Sequence, residues 1–256
     1  MTTVYTYDKV NRVEIANENP TNVNDPACPD EGLGSISRWC QKYQYLPGTG
    51  ALGNRAVQYE SNLGFVVGRP TSFDSTNHIT DAGFGYDGRG NLNLIPTGER
   101  YLYDGENRQV VYCAGFVSEA DCNNPTVTLG KTFYYYDGEG RRVGKVSGAV
   151  TQIFVYDALG RLAAEYGGSA EMSGNHYVTA DHLGSTRVVT DVSKAVIQCR
   201  DYLPFGDEIL AITQNGRNGV ACYSGETGMR QKFTGKERDP ESRLDFFEAR
   251  LGCGPL

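Results

Sequence analysis

The chain has 256 residues and a formal net charge of −7, long enough to bury the core of one large domain or two smaller ones. Glycine (32) and tyrosine (17) are abundant while methionine (3) and tryptophan (1) are scarce, a bias towards turns and aromatic strands that predicts an all-β fold. The acidic balance without any basic run argues against a nucleic-acid surface, no apolar run of about 18 residues offers a membrane span, and the start lacks the apolar centre of a secretory signal, so any export signal is expected outside the chain.

The first element is Tyr5-Thr6-Tyr7-Asp8, followed by Asn11-Arg12. Side chains alternate along a strand, so an aromatic two residues before a tyrosine places both rings on one face. The Asp8 carboxylate can close an Asx-turn on nearby N–H groups. Asn11 is a residue type that tolerates positive φ, and Arg12 opens the return stretch. The unit reads as strand, tight turn, strand: a β-hairpin.

Residues 17–80 are weaker, with Pro and Asn clusters and one hint of a turn at Gly50-Ala51-Leu52-Gly53-Asn54-Arg55. They read as decayed repeats with a long loop. Beyond them the unit returns four times: Phe84, Tyr86-Asp87 and Gly90; Tyr101, Tyr103-Asp104 and Asn107; Tyr134, Tyr136-Asp137 and Gly140; Phe154, Tyr156-Asp157 and Gly160. The next residue is Arg108, Arg141 or Arg161, with Asn91 the exception. Tyr86 and Tyr103 are 17 residues apart, and Tyr136 and Tyr156 are 20, room for two strands of about six residues and their turns. The excess between Tyr103 and Tyr136 is an insertion carrying Cys113 and Cys122. Isolated hairpins are marginal in water, so the units are expected to pair edge to edge into a curved, continuous winding sheet with its aromatics in ladders. The arginine either pairs with an aspartate of the adjacent turn or stays solvated.

Seven cysteines leave at least one unpaired or paired with another chain. The pairs Cys28/Cys40 and Cys113/Cys122 each bracket a loop-like segment and suit disulfides, which would imply an oxidising compartment. Scattered reduced thiols fit the sequence equally well. With no Cys-x-x-Cys pair and only His78, His176 and His182, a zinc site is not expected.

From Tyr166 onward the pattern changes to three ordered markers. They are His176-Tyr177-Val178-Thr179-Ala180-Asp181-His182-Leu183-Gly184-Ser185-Thr186-Arg187, then Asp201-Tyr202-Leu203-Pro204-Phe205-Gly206-Asp207-Glu208, then Phe233-Thr234-Gly235-Lys236-Glu237-Arg238-Asp239-Pro240-Glu241 running on to Ala249-Arg250. With the preceding Tyr-Asp units they resemble the C-terminal repeats and repeat-associated core region of the RHS/YD-repeat proteins. The resemblance covers about residues 84–250 and divides the chain into hairpin repeats (1–166) and an incomplete core-like region (167–256). It implies a β-cocoon wall, a shell that in bacterial members encloses a C-terminal polymorphic toxin. The implied partners are the rest of that shell, an enclosed toxin and, as an alternative, cell-surface carbohydrate; the implied location is secreted or at the cell surface, as part of a larger protein. Many such cores also cleave themselves with a pair of aspartates. Here Arg250 is followed by Leu251-Gly252-Cys253-Gly254-Pro255-Leu256, where the family continues with a Tyr-rich stretch and a Gly-Arg-Phe element, so the cleavage motif is not found.

That departure weighs against an enzyme, and no catalytic, cofactor-binding or metal residue is expected. Asp239 and Asp245 read as turn and edge-strand carboxylates rather than a dyad sharing a proton. Asp181, His182 and Ser185 hold the letters of a hydrolytic triad but crowd into five residues with no Gly-x-Ser-x-Gly elbow. The Gly-x-Gly-x-x-Gly matches at Gly48 and Gly83 do not open a helix, and the repeat is too long to converge turns on calcium. The expectation is a non-enzymatic scaffold, with a carbohydrate-binding surface or a remnant self-cleaving core as alternatives.

Overall fold

The structure is a computed structural model that describes residues 3–18, 28, 39–45, 54–63, 72–160, 162–167, 175–223 and 228–247, together with the backbone of 250–252. It is all-β, built from antiparallel meanders in which strand order follows chain order. The first sheet holds β1 (Thr3–Tyr7), β2 (Val13–Glu18), β3 (Trp39–Tyr45) and β4 (Arg55–Ser61). The second holds eight strands: β5 (Gly85–Tyr86), β6 (Leu92–Leu94), β7 (Arg100–Tyr103), β8 (Gln109–Cys113), β9 (Lys131–Tyr136), β10 (Arg142–Ser147), β11 (Val150–Tyr156) and β12 (Leu162–Gly167). Two smaller sheets follow, β13 (His176–Ala180) to β14 (Thr186–Asp191) to β15 (Val196–Cys199), and β16 (Glu237–Arg238) to β17 (Asp245–Phe247) to β18 (Arg250–Gly252). None of these sheets closes on itself.

One turn recurs along the chain. In it the N–H of an aspartate donates to the carbonyl four residues on, and the N–H three residues on donates back to the aspartate carbonyl. Asp8, Asp74, Asp87, Asp104, Asp137, Asp181 and Asp191 all do this. That is the pattern of a type I turn closed by a G1 bulge, which matches the twist of the flanking strands. It requires a left-handed residue at the third position after the aspartate. Asn11, Asn77, Asn107 and Lys194 supply it at φ +62 to +69 among the non-glycines, and Gly90, Gly140, Gly160 and Gly184 supply it elsewhere. The ladder register slips by one residue beside these turns, for example between Leu102 and Tyr103 and between Val155 and Tyr156.

The same backbone form appears without aspartate at Ile95–Glu99, Leu203–Asp207 and Lys232–Lys236, where the left-handed residues are Gly98, Gly206 and Gly235. The second and third sequence markers are therefore further copies of the repeat turn. Within residues 17–80 the described parts include an antiparallel pairing of β3 with β4 and a repeat turn closed by Asp74. Most of the Gly50–Arg55 hint lies outside the described residues.

The repeat aromatics point inwards. In β9, Tyr134 is buried while its neighbour Tyr135 is exposed and Tyr136 is half-buried. Tyr101, Tyr112 and Tyr134 share a core with Ile95 and Leu244, flanked by Phe84, Tyr103 and Tyr136. A second core joins the first sheet (Ala16, Trp39, Tyr43) to Leu63, Leu203 and Ile209. The unit at Tyr5 and Tyr7 departs from this: both rings are exposed, because β1 is the edge strand of its sheet.

The insertion between β8 and β9 carries the short helix α1 (Glu119–Asn123), N-capped by Ser118 and tied to β8 by Cys113–Cys122. Disulfides also join Cys28 to Cys40 and Cys199 to Cys222. The third pair was not anticipated; Cys253, the seventh cysteine, lies outside the described residues.

Candidate functional site

The repeat residues form clasps that run from one hairpin to the next. Within a turn, the aspartate accepts backbone N–H groups two and four residues on: Asp104 from Glu106 and Arg108, and Asp137 from Glu139 and Arg141. The arginine Nε donates to the other carboxylate oxygen of its own turn, at 2.7 Å in Asp8–Arg12 and Asp137–Arg141. The arginine thus pairs within its turn rather than with the neighbouring aspartate side chain. Across the gap Arg108 Nη1 reaches the backbone carbonyl of Asp137, and in the turn that has Asn91 in the arginine's place Arg89 Nη1 reaches that of Asp104. Arg108 also lies over the ring of Tyr136, and Arg141 over that of Tyr156.

The tyrosine completes the clasp. Tyr103, Tyr136 and Tyr156 donate their hydroxyls to the carbonyls of Leu92, Gln109 and Arg142 at 2.6–2.9 Å. Each acceptor is the first residue after the previous turn's Asn or Arg, where the bulge interrupts the ladder. Tyr86 joins by accepting from the Ile79 N–H, beside the turn at Asp74. Tyr45 donates its hydroxyl to the carbonyl of Val13, the residue after Arg12, which makes it a repeat tyrosine that a search for Tyr-Asp cannot find. These contacts account for tyrosine rather than phenylalanine at this position: the hydroxyl satisfies a carbonyl that the bulge leaves out.

The three core markers meet one another. The Thr186 N–H donates to the Lys232 carbonyl, and the Thr234 N–H to Ser185 Oγ. Gly184 and Gly235 approach so closely that a Cβ on Gly235 would lie 3.4 Å from the Gly184 carbonyl oxygen. Gly206 lies against Phe233, and Arg238 donates to its carbonyl. Pro204 occupies the turn between Leu203 and Gly206. Phe205 packs edge-on against Tyr43 with Arg55 over its face, so the second marker touches the first sheet. Arg187 lies over Tyr202 and reaches Asp181 and Asp201.

Beneath the eight-stranded sheet is a buried ion network. Arg142 of β10 donates to Asp239 at 2.7 Å and to Glu237 at 2.6 Å, while Lys145 pairs with Asp239 and Glu241. Tyr134 donates to Glu241 at 2.7 Å. The Arg142 guanidinium sits between the rings of Tyr134, Phe154 and Phe246. Burial disfavours its charge, but Asp239 and Glu237 outweigh that and hold it charged. Burial pushes the Glu237 carboxyl up against the opposing pull of Arg142.

Asp239 and Asp245 are not peripheral carboxylates. Asp239 is fully buried between two cations, and Asp245 sits on β17, the middle strand of its sheet, accepting both arms of Arg238 at 2.8 and 2.9 Å. An unpaired carboxylate would be too costly at such depth. A parallel network links Arg217 to Glu18 and to Asp201 of the second marker, with Tyr223 donating to Asp201. The only sequence signal for Arg142 was a charge at an inward-facing strand position; Glu18 and Arg217 carried none.

The triad letters do not assemble: Ser185 is buried and its hydroxyl accepts from Thr234, whereas His182 is exposed. Among the described residues no cluster of His, Cys, Asp or Glu has the makings of a metal site, and no helix is long and apolar enough to cross a membrane. Arg161 lies outside the described residues, and Arg250 is placed only as backbone of β18.

No family model and no curated protein matches the chain. Among solved structures it is similar to the crystal structure of TcdB2-TccC3-Cdc42, at 17% identity and a TM-score of 0.54. It is likewise similar to TcdB2-TccC3, at 17% identity and a TM-score of 0.56. Each alignment covers 97% of this chain and 14% of the other, so the chain spans a small part of the proteins it resembles. The chain shares with them the open antiparallel β-shell fold of RHS-repeat proteins.

Proposed function

We propose that this chain is a non-enzymatic wall segment of an RHS shell, repeats in 1–166 and core-like region in 167–256, that encloses a toxin as part of a larger secreted or surface protein. The observation that supports it is the seating of Glu237, Asp239 and Glu241 under β9 and β10. The inward aromatic face is packed by the chain's own later residues, so the wall is pinned from inside. The partners are the remainder of the shell and the enclosed toxin.

The self-cleaving alternative loses support because Asp239 and Asp245 are each engaged by cations. The carbohydrate alternative loses support because the repeat rings from Tyr101 to Phe154 are turned inwards. The test is electron microscopy and limited proteolysis of the full polypeptide in which the chain occurs. A hollow, protease-resistant particle whose wall contains these residues supports the reading; a solid particle, or cleavage at the repeat turns under mild protease, overturns it.

A further inference from the structure

The three disulfides differ in access. Cys113 and Cys122 are 0% and 2% exposed, and in the bond between Cys28 and Cys40 only Cys28 is partly exposed, Cys40 being 0%. Cys199 and Cys222 are both partly exposed, and Cys199 lines an open cavity of about 120 Å³ with Arg200, Glu208, Leu210 and Tyr223. Thiol–disulfide exchange needs a thiolate to reach a sulfur in line with the bond, so access ranks these bonds.

The bond also sits at a junction. It ties β15 to the 3₁₀ turn Ala221–Tyr223. Tyr223, next to Cys222, donates a 2.6 Å hydrogen bond to Asp201, two residues after Cys199. Asp201 also accepts from Arg217 Nε at 2.8 Å. Arg217, 1% exposed and inside the loop that the disulfide closes, holds both oxygens of Glu18 at 3.0 Å. Glu18 ends β2, which is paired on both sides within the first sheet. The disulfide therefore holds the segment through which the core region grips a sheet about 200 residues earlier in the chain.

We propose that Cys199–Cys222 is a reducible clasp that locks the first sheet to the core region, and that a dithiol reductant opens it through the cavity beside Cys199. One reductant thiolate attacks Cys199 Sγ, and Cys222 leaves as a thiolate that takes a proton from water. The second reductant thiolate then attacks the mixed disulfide and releases Cys199, which is protonated in turn. The cystine gains two electrons, and the dithiol loses two and becomes its own disulfide. With the loop open, Arg217 and Tyr223 lose their fixed positions, and Glu18 is left with a buried charge whose partner is mobile. A chain passing from an oxidising to a reducing compartment would loosen at this seam first. The inference does not depend on what the shell encloses.

The intact chain is titrated with dithiothreitol, alkylated with iodoacetamide and mapped by mass spectrometry. Hydrogen exchange is measured at the concentration where Cys199 and Cys222 alone are labelled. The expected result is labelling of this pair at a dithiothreitol concentration at least tenfold below that for Cys113 and Cys122, with faster exchange in Val13–Glu18 and unchanged exchange in β9–β11. Labelling of Cys113, Cys122, Cys28 or Cys40 at an equal or lower concentration overturns the proposal. So does selective reduction that leaves exchange in Val13–Glu18 unaltered.

Discussion

Arg142 and Asp239, 97 residues apart in sequence, meet at 2.7 Å with 2% and 0% of their side chains exposed. This pair joins a strand of the repeat wall to the core region. Removing one partner takes a counter-charge from the other in the interior, whereas removing both leaves only Glu237 short of its close cation. Asp239→Asn is expected to lower stability by about 3–5 kcal/mol, and Arg142→Met by a similar amount. The double variant is expected to recover part of the loss. Urea unfolding of all four proteins in a double-mutant cycle checks this, and additive losses would show that the pair is not coupled.

The tyrosine hydroxyls give a second expectation. Tyr136→Phe leaves the ring in place but removes the donor to the Gln109 carbonyl, at a cost of about 1 kcal/mol. Tyr135→Phe, at an exposed position in the same strand, is expected to cost nothing measurable. Chemical unfolding compares the two.

Turn glycines separate strain from crowding. Gly140 has φ +82 and open space around it, whereas a Cβ on Gly206, at φ +98, would lie 2.7 Å from Phe233 Cδ1. Gly140→Ala is expected to cost about 1–2 kcal/mol from backbone strain alone. Gly206→Ala is expected to cost about 2–4 kcal/mol because Phe233 must also move. Gly140→Asn is expected to be nearly neutral, since Asn107 adopts φ +62 at the equivalent place. Thermal unfolding of the three variants orders them.

Acid sensitivity follows from the turn carboxylates. The Arg12 N–H foremost, helped by the Arg12 side chain, holds Asp8 below the usual aspartate range. At Asp137, partial burial pushes upwards, but the Arg141 side chain and backbone outweigh it and the result is again low. A folded-state value below the unfolded one means that the unfolded chain binds more protons. The contribution is therefore complete above about pH 4 and is lost as pH falls through the folded value. Asp137→Asn is expected to lower the urea midpoint at pH 6 and to differ less from wild type at pH 3. A difference that stays constant with pH would show that ionisation plays no part.

How much of this was legible depends on the range of each interaction. The hairpin unit could be read from local order because its causes are local: period-two alternation, an aspartate that caps its own turn, and a residue fit for positive φ three positions later. The same logic missed Tyr45, which no aspartate follows, and the turn at Asp74, which follows a phenylalanine rather than a tyrosine yet retains the backbone form. It misjudged Asp239 because a charged residue near a chain turn is ordinarily solvated, and nothing nearby in sequence announces a buried arginine 97 residues earlier.

The sequence by itself determined the all-β class, the repeated turn and the shared face of each unit's two aromatics, and it offered the two loop-bracketing cysteine pairs alongside free thiols. Only the tertiary structure decided which hairpins share a ladder, that the three markers converge on one another, that Arg142 and Arg217 are buried among acids from distant segments, and that Cys199 pairs with Cys222. The physical reason is that turn geometry and side-chain alternation are set within about four residues. A buried charge, by contrast, is tolerated only where the fold delivers its counter-charge from elsewhere in the chain.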